Sequence, residues 1–391
     1  MIMGLKRVTV KFLKYLLPTM LVLCVIPFSD INTNPEDSDG TFGHGKIRVA
    51  LDLDDRLSDG YQTGYGYEMA ERFAAHMKEP REIFLALDGG FYLDSLRQDS
   101  LDILMIPSEK VPDSKDFLSF PLGDVPVSWL IKSDRQKQKD LIKWLNSLKG
   151  TDEFALVIER FFHGYNPYRK GVKRNPGIIS PYDDLIKEYA WKIGWDWKMF
   201  AALIWSESRF RIQASSPMGA LGLMQMMPRT ADRYEIEDLL NPRENIAAGA
   251  SYIARLQSKF KDTAANDEEL LNFTLAAYNA GEGRIYDCIK FARSQGVDTG
   301  TWESLCTVLP QMSQDSILSV DDVRHGKFKG KETIAYVRAV LNRYDIFCGR
   351  QPRFKEQPTD TTLIMLEDTE DVERVLLSPD SLGRIDLGDE Q

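Results

Sequence analysis

The middle of the chain holds a helix-forming segment that is apolar on nearly every side and ends in a carboxylate. Residues 200–205 place apolar side chains at helical spacing, and Glu207 follows Trp205 by two positions. A helix with so little polar surface must be buried, so the surrounding domain has to be built around it. A carboxylate on its last turn loses water and faces the negative end of the helix dipole, and both effects raise its pKa. Glu207 is therefore predicted to be a proton donor near neutral pH, as a general acid must be.

A turn follows this helix. Residues 215–219 read Ser-Ser-Pro-Met-Gly, which is typical of a turn, and Gly222 allows a close approach of the next backbone segment. A single glutamate near a helix end is weak evidence for catalysis, because most such residues are solvated. Further motifs along the chain have to decide between the two interpretations.

Four short motifs occur in a fixed order. They read Glu-Ser at 207–208, Gly-Leu-Met-Gln at 222–225, Ala-Tyr-Asn-Ala-Gly at 277–281 and Glu-Thr-x-x-Tyr-Val at 332–337. In this order they closely resemble the soluble-type lytic transglycosylases, which are lysozyme-like enzymes that cut peptidoglycan. The resemblance covers about residues 178–348 and implies an all-α catalytic domain.

The resemblance also implies a mechanism that needs one acid. Glu207 would protonate the bond between N-acetylmuramic acid (MurNAc) and N-acetylglucosamine (GlcNAc), and would then deprotonate the muramic C6 hydroxyl, leaving a 1,6-anhydro end. No second acid near Glu207 lies at a helical spacing that would place it beside the first. The substrate-binding residues that the family implies are Ser216, Met224, Gln225, Tyr278, Asn279, Glu332 and Tyr336. Core packing is an equal alternative for Met224 and Tyr336, since both residue types commonly fill cores at helical spacing.

The front half alternates strand and helix patterns. Apolar runs at 47–51, 83–87 and 101–106 read as strands, and the segment beginning at Tyr67 reads as a helix, so a parallel sheet is expected. This part resembles one lobe of the periplasmic solute-binding domain that the membrane-bound lytic murein transglycosylase F group carries ahead of its catalytic domain. The second lobe is missing, because residues 127–132 resemble the strand that returns to the first lobe. A role in positioning or regulation is therefore expected, rather than binding of an amino acid.

These patterns predict a multidomain chain with an α/β front and an all-α back. The predicted segments are an export signal or anchor (1–28), a flexible leader (29–45), the α/β lobe (46–163), a linker (164–177), the catalytic domain (178–349) and an acidic, flexible tail (350–391).

The N-terminal segment and the cysteines point to the cell envelope. Basic residues precede a short apolar stretch interrupted by Pro18, which is typical of an export signal and leaves an uncleaved anchor as an alternative. We expect the protein to lie on the periplasmic side of the envelope, where it is either soluble or held at a membrane, above all the outer membrane. Whether Cys24 is lipidated stays open. Export would permit one disulfide among Cys288, Cys306 and Cys348, with the first two nearest in sequence.

The net charge and the positions of the histidines limit the classes of partner and cofactor that the chain can bind. A net charge of −10 and the lack of an aromatic-interleaved basic run argue against nucleic-acid binding. The four histidines are scattered, so neither a metal nor another cofactor is expected. Glycan strands of peptidoglycan are the expected partner, with no prediction for the oligomeric state, the peptide-stem preference, or internal as against terminal cleavage. A hydrolytic muramidase and a catalytically weak wall-binding protein remain the alternatives.

Overall fold

The computed structural model describes residues 45–53, 60–86, 89–121, 125–133, 135–164, 177–320 and 323–355. The predicted export signal with Cys24, most of the leader, most of the 164–177 linker and residues 356–391 of the tail lie outside the described residues. The predicted domain boundaries stay predictions.

A five-stranded sheet forms the front of the chain. Its strands are β1 (Ile47–Leu51), β2 (Arg81–Leu85), β3 (Ile103–Pro107), β4 (Phe117–Pro121) and β5 (Val127–Lys132). The order in the sheet is β2-β1-β3-β5-β4; β1 runs parallel to β2 and β3, whereas β5 runs antiparallel to both β3 and β4. The α/β front is thus confirmed, but the expectation of a parallel sheet is wrong, because β5 makes the sheet mixed. Its likeness to a solute-binding lobe stays a prediction.

Helices cover both faces of this sheet. The front helices are α1 (Gln62–Met77), α2 (Gly89–Arg97), α3 (Arg135–Leu148) and α4 (Asp152–Ile158), and a π-helical turn at Glu159–His163 extends α4. Phe73 of α1, Trp129 of β5 and Trp144 of α3 pack edge-on or tilted with ring centroids 5.0–5.9 Å apart. On the other side, Leu96 of α2 joins an apolar cluster with Leu104 and Leu130.

The first helix begins earlier than its sequence indicates. Gly64 and Gly66, which the pattern assigned to a polar segment ahead of the helix, both lie within α1. A Cβ atom on Gly64 would stand 2.3 Å from the Tyr182 hydroxyl, and one on Gly66 would stand 2.8 Å from Leu53. These glycines are therefore needed for close packing of the helix and not for a flexible loop.

The back of the chain is helical, as predicted. Its helices are α5 (Asp183–Ile193), α6 (Trp197–Ser208), α7 (Pro228–Arg233), α8 (Pro242–Phe260), α9 (Asp267–Ala280), α10 (Glu282–Ser294), α11 (Trp302–Val308) and α12 (Gly330–Phe347). Within 177–320 and 323–355, β-pairing is limited to the isolated bridges Ser215–Leu221 and Leu221–Met226.

The sequence predicts a helix that opens at Ser180-Pro181, with the serine as its cap, and another that begins at the cap signature Asn-Pro-Arg-Glu at 241–244; the two predictions have different outcomes. Asn241 caps α8 as predicted, because its side-chain oxygen accepts the N–H groups of Arg243 and Glu244. The predicted start at Ser180-Pro181 is too early: α5 begins at Asp183, whose buried carboxylate accepts the N–H groups of the two residues before Pro181, at 2.8 Å each. Asp183 thus fixes the chain entering the helix.

The beginning of the predicted tail packs on α12. Asn342 exchanges two hydrogen bonds of 2.9 Å with the backbone of Phe354, and Arg353 pairs with the buried carboxylate of Asp345 at 2.7 Å. The flexible tail predicted from residue 350 is therefore attached to the domain as far as these contacts reach. Cys288, Cys306 and Cys348 are all free thiols in this structure.

A hydrogen bond from a buried tyrosine joins the front and back of the chain. The Tyr67 hydroxyl in α1 donates to the Asp238 carboxylate at 2.6 Å, and Tyr67 is 2% exposed. We expect Tyr67→Phe to lower the free energy of unfolding by about 1–3 kcal/mol, because the carboxylate loses a buried donor. Urea unfolding of the full chain measures this. Tyr92→Phe is the control, since its hydroxyl donates to a neutral acceptor, the Leu85 carbonyl, at a longer 3.4 Å, and an equal loss in both variants would contradict the assignment.

Candidate active site

The helix that carries Glu207 is buried along its length. Residues from Met199 to Trp205 are all buried, and the Asp196 side chain caps the helix by accepting the Lys198 N–H at 2.9 Å. Glu207 is the penultimate residue of α6, and Arg209 ends the helix in the left-handed conformation. The helix predicted from the apolar spacing is confirmed, with Glu207 on its last turn.

The Glu207 carboxyl has the pKa of a general acid. Glu207 is half-buried, and burial raises its pKa from an ordinary 4.5 to about 7, whereas a hydrogen bond from the Tyr336 hydroxyl to Oε1 acts in the opposite direction. Burial disfavours the charged form, and a donor to the carboxylate favours it. Glu207 is therefore poised to lose and regain a proton near neutral pH, as its position in the sequence predicted.

Two tyrosines adjoin this carboxyl. Burial and the negative charge of Glu207 raise the pKa of both Tyr278 and Tyr336 well above the ordinary value. Both hydroxyls therefore keep their protons when Glu207 ionises. The Tyr336 hydroxyl bonds Glu207 itself, whereas the Tyr278 hydroxyl donates to the Met224 carbonyl at 2.7 Å.

Ser216 organises the turn predicted at 215–219. Its hydroxyl oxygen accepts the Ala220 N–H at 3.0 Å, and its carbonyl accepts the Gly219 N–H at 2.8 Å. Gly219 has a φ of +83°, so the glycine is required where the turn closes. The Ser216 hydroxyl proton is left to donate elsewhere, because the oxygen acts as the acceptor in the turn.

Gln225 and Met224 hold the next loop. The Gln225 side-chain amide donates to the carbonyls of Ala214 at 2.8 Å and Gly222 at 3.1 Å, which closes the loop on itself. The Met224 side chain is 0% exposed and lies against Gly249, where a Cβ atom would come within 2.5 Å of its sulfur. Met224 therefore has a core-packing side chain, and the part of it that meets the site is its backbone carbonyl.

Asn279 and Glu332 lie where α9 ends and α12 begins. Asn279 is exposed, and its side-chain oxygen accepts the hydroxyl of Thr333 at 3.1 Å. Glu332 is partly exposed and pairs with Lys329 at 2.7 Å. The hydrogen bond between Asn279 and Thr333 thus ties the third sequence motif to the fourth.

Two buried polar residues in this region were not among the predicted site residues. Thr333 and Asn245 are 2% and 0% exposed, and both hydrogen-bond residues of the motifs. The only signal for Asn245 in the sequence is a polar residue beside Ile246 on the apolar face of α8. A buried amide has to be hydrogen-bonded, but the sequence does not say to what.

The described residues contain neither a candidate metal site nor a membrane-spanning helix. No group of three or more His, Cys, Asp or Glu side chains in them could hold a metal ion. None of their helices is long and apolar enough to cross a bilayer.

Comparison with known proteins relates part of the chain to one enzyme family. Residues 184–299 match the Transglycosylase SLT domain family. The chain is 29% identical over 278 residues to the membrane-bound lytic murein transglycosylase F of Desulfosudis oleivorans, covering 69% of this chain and 60% of that protein. It is 30% identical over 250 residues to the Alcanivorax borkumensis protein of the same name, covering 62% and 52%. The chain thus spans less than two thirds of the length of these curated relatives.

Solved structures of two transglycosylases also align with the chain. An inactive mutant of lytic transglycosylase Slt from Pseudomonas aeruginosa is 26% identical, with 43% of this chain and 25% of that chain covered and a TM-score of 0.30. The 70 kDa soluble lytic transglycosylase of Escherichia coli is 20% identical, with 74% and 44% covered and a TM-score of 0.30. The family match and the curated relatives confirm the resemblance predicted from the four motifs, and residues 184–299 are the part of the chain that is similar to the Transglycosylase SLT domain family.

Proposed function

We propose that this protein is a lytic transglycosylase that cleaves the β-1,4 bond between MurNAc and GlcNAc in peptidoglycan without consuming water. The observation that carries this proposal is the Glu207 carboxyl, with a pKa of about 7 and a hydrogen bond from Tyr336, in a chain with an SLT domain. Burial and Tyr336 account for its pKa, and no carboxylate of the described residues contributes. In the proposed reaction Glu207 is the single acid and serves both proton transfers.

The reaction starts with Glu207 protonated. Glu207 donates its proton to the glycosidic oxygen, the bond from that oxygen to MurNAc C1 breaks, and the GlcNAc-terminated strand leaves. The acetamido oxygen of the same MurNAc stabilises the positive charge that develops at C1. Glu207, now a carboxylate, takes the proton of the C6 hydroxyl as O6 bonds to C1. The acid is regenerated and the product ends in 1,6-anhydroMurNAc.

The surrounding residues support this cycle by position. The Ser216 hydroxyl has a proton left to give and would donate to the acetamido group. Asn279, Glu332 and the Gln225 loop would bind sugar hydroxyls or shape the groove. Tyr336 would hold Glu207 in line and stabilise its carboxylate form between the two proton transfers.

The proposed function includes where the protein acts and what its front lobe does. We infer that the protein acts on the periplasmic side of the envelope and associates with a membrane, the outer membrane foremost, through its N-terminal segment. The contact between Tyr67 and Asp238 supports a front lobe that positions the catalytic domain.

Product masses separate the alternatives. The full chain, purified and incubated with peptidoglycan sacculi, should release muropeptides one water lighter than those released by a hydrolytic muramidase. Fragments at the hydrolytic mass would move the assignment to a muramidase. Sacculi that bind the protein but release no fragment would identify a wall-binding protein instead.

A further inference from the structure

Asn245 is a buried amide whose oxygen and nitrogen are both bonded to backbone. The residue lies in the first turn of α8 and is 0% exposed. Its Oδ1 accepts the Met224 N–H at 2.8 Å, and its Nδ2 donates to the Leu239 carbonyl at 2.9 Å and to the Leu221 carbonyl at 3.3 Å. One side chain thus connects α8 to both ends of the 221–224 loop and to the segment before the helix.

A glycine makes this contact possible. Gly222 has a φ of +81°, and a Cβ atom there would stand 2.2 Å from Asn245 Nδ2 and 2.6 Å from the Leu239 carbonyl oxygen. No other residue type leaves room for the amide to reach the loop. The Gly-Leu-Met-Gln motif therefore has a physical partner on α8 that lies outside the motif.

Met224 connects the 221–224 loop, which Asn245 fixes, to the candidate active site. The Met224 backbone is held at both of its polar groups, since the N–H donates to Asn245 and the carbonyl accepts the Tyr278 hydroxyl at 2.7 Å. Asn279, the next residue on α9, accepts the Thr333 hydroxyl on α12, the helix whose Tyr336 bonds Glu207, and burial together with the negative charge of Glu207 raises the pKa of Tyr278. A continuous path of hydrogen bonds therefore runs from Asn245 through Met224 to a tyrosine beside the acid.

We propose that Asn245 is a positioning residue for the reaction: by fixing the Met224 backbone, it directs the Tyr278 hydroxyl to the Met224 carbonyl and away from the Glu207 carboxylate. This inference rests on the proposed function of Glu207. Without Asn245, the 221–224 loop shifts and the Tyr278 hydroxyl loses its 2.7 Å acceptor, which leaves it the weak 3.9 Å contact with the Met226 sulfur. The hydroxyl then donates to the Glu207 carboxylate and stabilises its ionised form. A smaller fraction of Glu207 is therefore protonated at neutral pH and able to act as the acid.

The expected result for Asn245→Ala has two parts. We expect kcat to fall about tenfold with KM little changed, because the acid is misaligned while the sugar contacts remain. We also expect the alkaline limb of the pH–rate profile to move to lower pH, because the fraction of protonated Glu207 declines earlier. A purely structural role would not move this limb.

Asn342→Ala is the matched control. Asn342 is also a buried asparagine whose amide fixes backbone, with two 2.9 Å hydrogen bonds to Phe354, but none of these bonds involves the 221–224 loop. It should lower stability while leaving the alkaline limb unchanged. If Asn245→Ala does not fold, Asn245→Ser serves instead, since a hydroxyl and a water in the vacated space can satisfy the loop backbone without fixing it.

A double-mutant cycle with Tyr278→Phe tests the path itself. Because the effect of Asn245 is carried by the Tyr278 hydroxyl, the Asn245 substitution should cause little further loss of kcat and no shift of the limb in the Tyr278→Phe background. Equal effects in both backgrounds would overturn the inference, as would an unshifted limb, or failure of both Asn245 variants to fold. A wild-type chain that releases no anhydro products would instead refute the proposed function, so the two failures are distinguishable.

Discussion

Glu207→Gln should abolish cleavage of peptidoglycan while leaving the fold intact. The amide is nearly the same size and can still accept the Tyr336 hydroxyl, but it can neither give a proton to the glycosidic oxygen nor take one from the C6 hydroxyl. General acid–base catalysis is worth about 10²–10⁴-fold, and Glu207 acts in both halves of the reaction, so we expect a loss at or above the top of that range. Release of soluble muropeptides from sacculi measures it.

The same substitution should stabilise the protein at alkaline pH. Burial raises the folded-state pKa of Glu207 to about 7, so the folded state holds a proton that the unfolded chain has lost between pH 4.5 and 7. Wild-type stability therefore falls as pH rises through this window, and glutamine removes the penalty. We expect Glu207→Gln to be more stable than wild type by up to about 3 kcal/mol above pH 7, with the advantage disappearing below pH 4.5.

Glu303→Gln is the control for both measurements, because Glu303 is exposed on α11 and no shift of stability or activity is expected from its neutralisation. Two results would contradict the assignment of Glu207. One is a Gln variant that keeps a tenth or so of wild-type turnover, well above what the loss of a general acid allows. The other is a variant whose stability relative to wild type does not change with pH.

Tyr336→Phe should slow the reaction and move its pH profile. The hydrogen bond from Tyr336 lowers the pKa of Glu207, so removing it raises that pKa further and extends the alkaline limb to higher pH. A hydrogen bond to a charged group is worth about 1.5–3 kcal/mol, so losing it from the carboxylate form corresponds to a fall in kcat of about 10- to 100-fold. Rates measured across pH 5–9 report both effects.

Tyr344→Phe provides a matched control on the same helix. The Tyr344 hydroxyl also donates to a carboxylate, Asp196, at 2.9 Å, but this pair is exposed and lies at the opposite end of α6 from Glu207. It should change neither kcat nor the alkaline limb. A Tyr336→Phe profile that shifts to lower pH would show that the hydroxyl does not stabilise the Glu207 carboxylate.

The helix position of Glu207 and the cap of α8 were predictable because their signals are local. An apolar stretch at helical spacing places Glu207 on the last turn of a buried helix from sequence alone, and desolvation then dictates the direction of its pKa. Asn241 caps α8 through a pattern contained within four residues. The motif residues Tyr278 and Tyr336 were linked to Glu207 by family resemblance, since nothing in their spacing shows that α9 and α12 meet beside α6.

The features that were missed depend on contacts distant in sequence. Gly64 and Gly66 read as loop residues, yet they lie within a helix. They are glycines because Tyr182 and Leu53 pack where their side chains would be. The antiparallel direction of β5 is not encoded in its run of apolar residues. Asn245 looks like an isolated polar residue in an apolar stripe, and its three partners lie up to 24 positions away.

The measurement that tests the central proposal most directly is product analysis after cleavage in water enriched in oxygen-18. If the C6 hydroxyl of MurNAc attacks C1, the new ends carry no heavy oxygen, because no water enters the product. That is the result we predict for the wild-type chain, with Glu207→Gln releasing nothing. Heavy oxygen at C1 of the released muropeptides would contradict the proposal, and would mean that a water attacks C1 in place of the C6 hydroxyl.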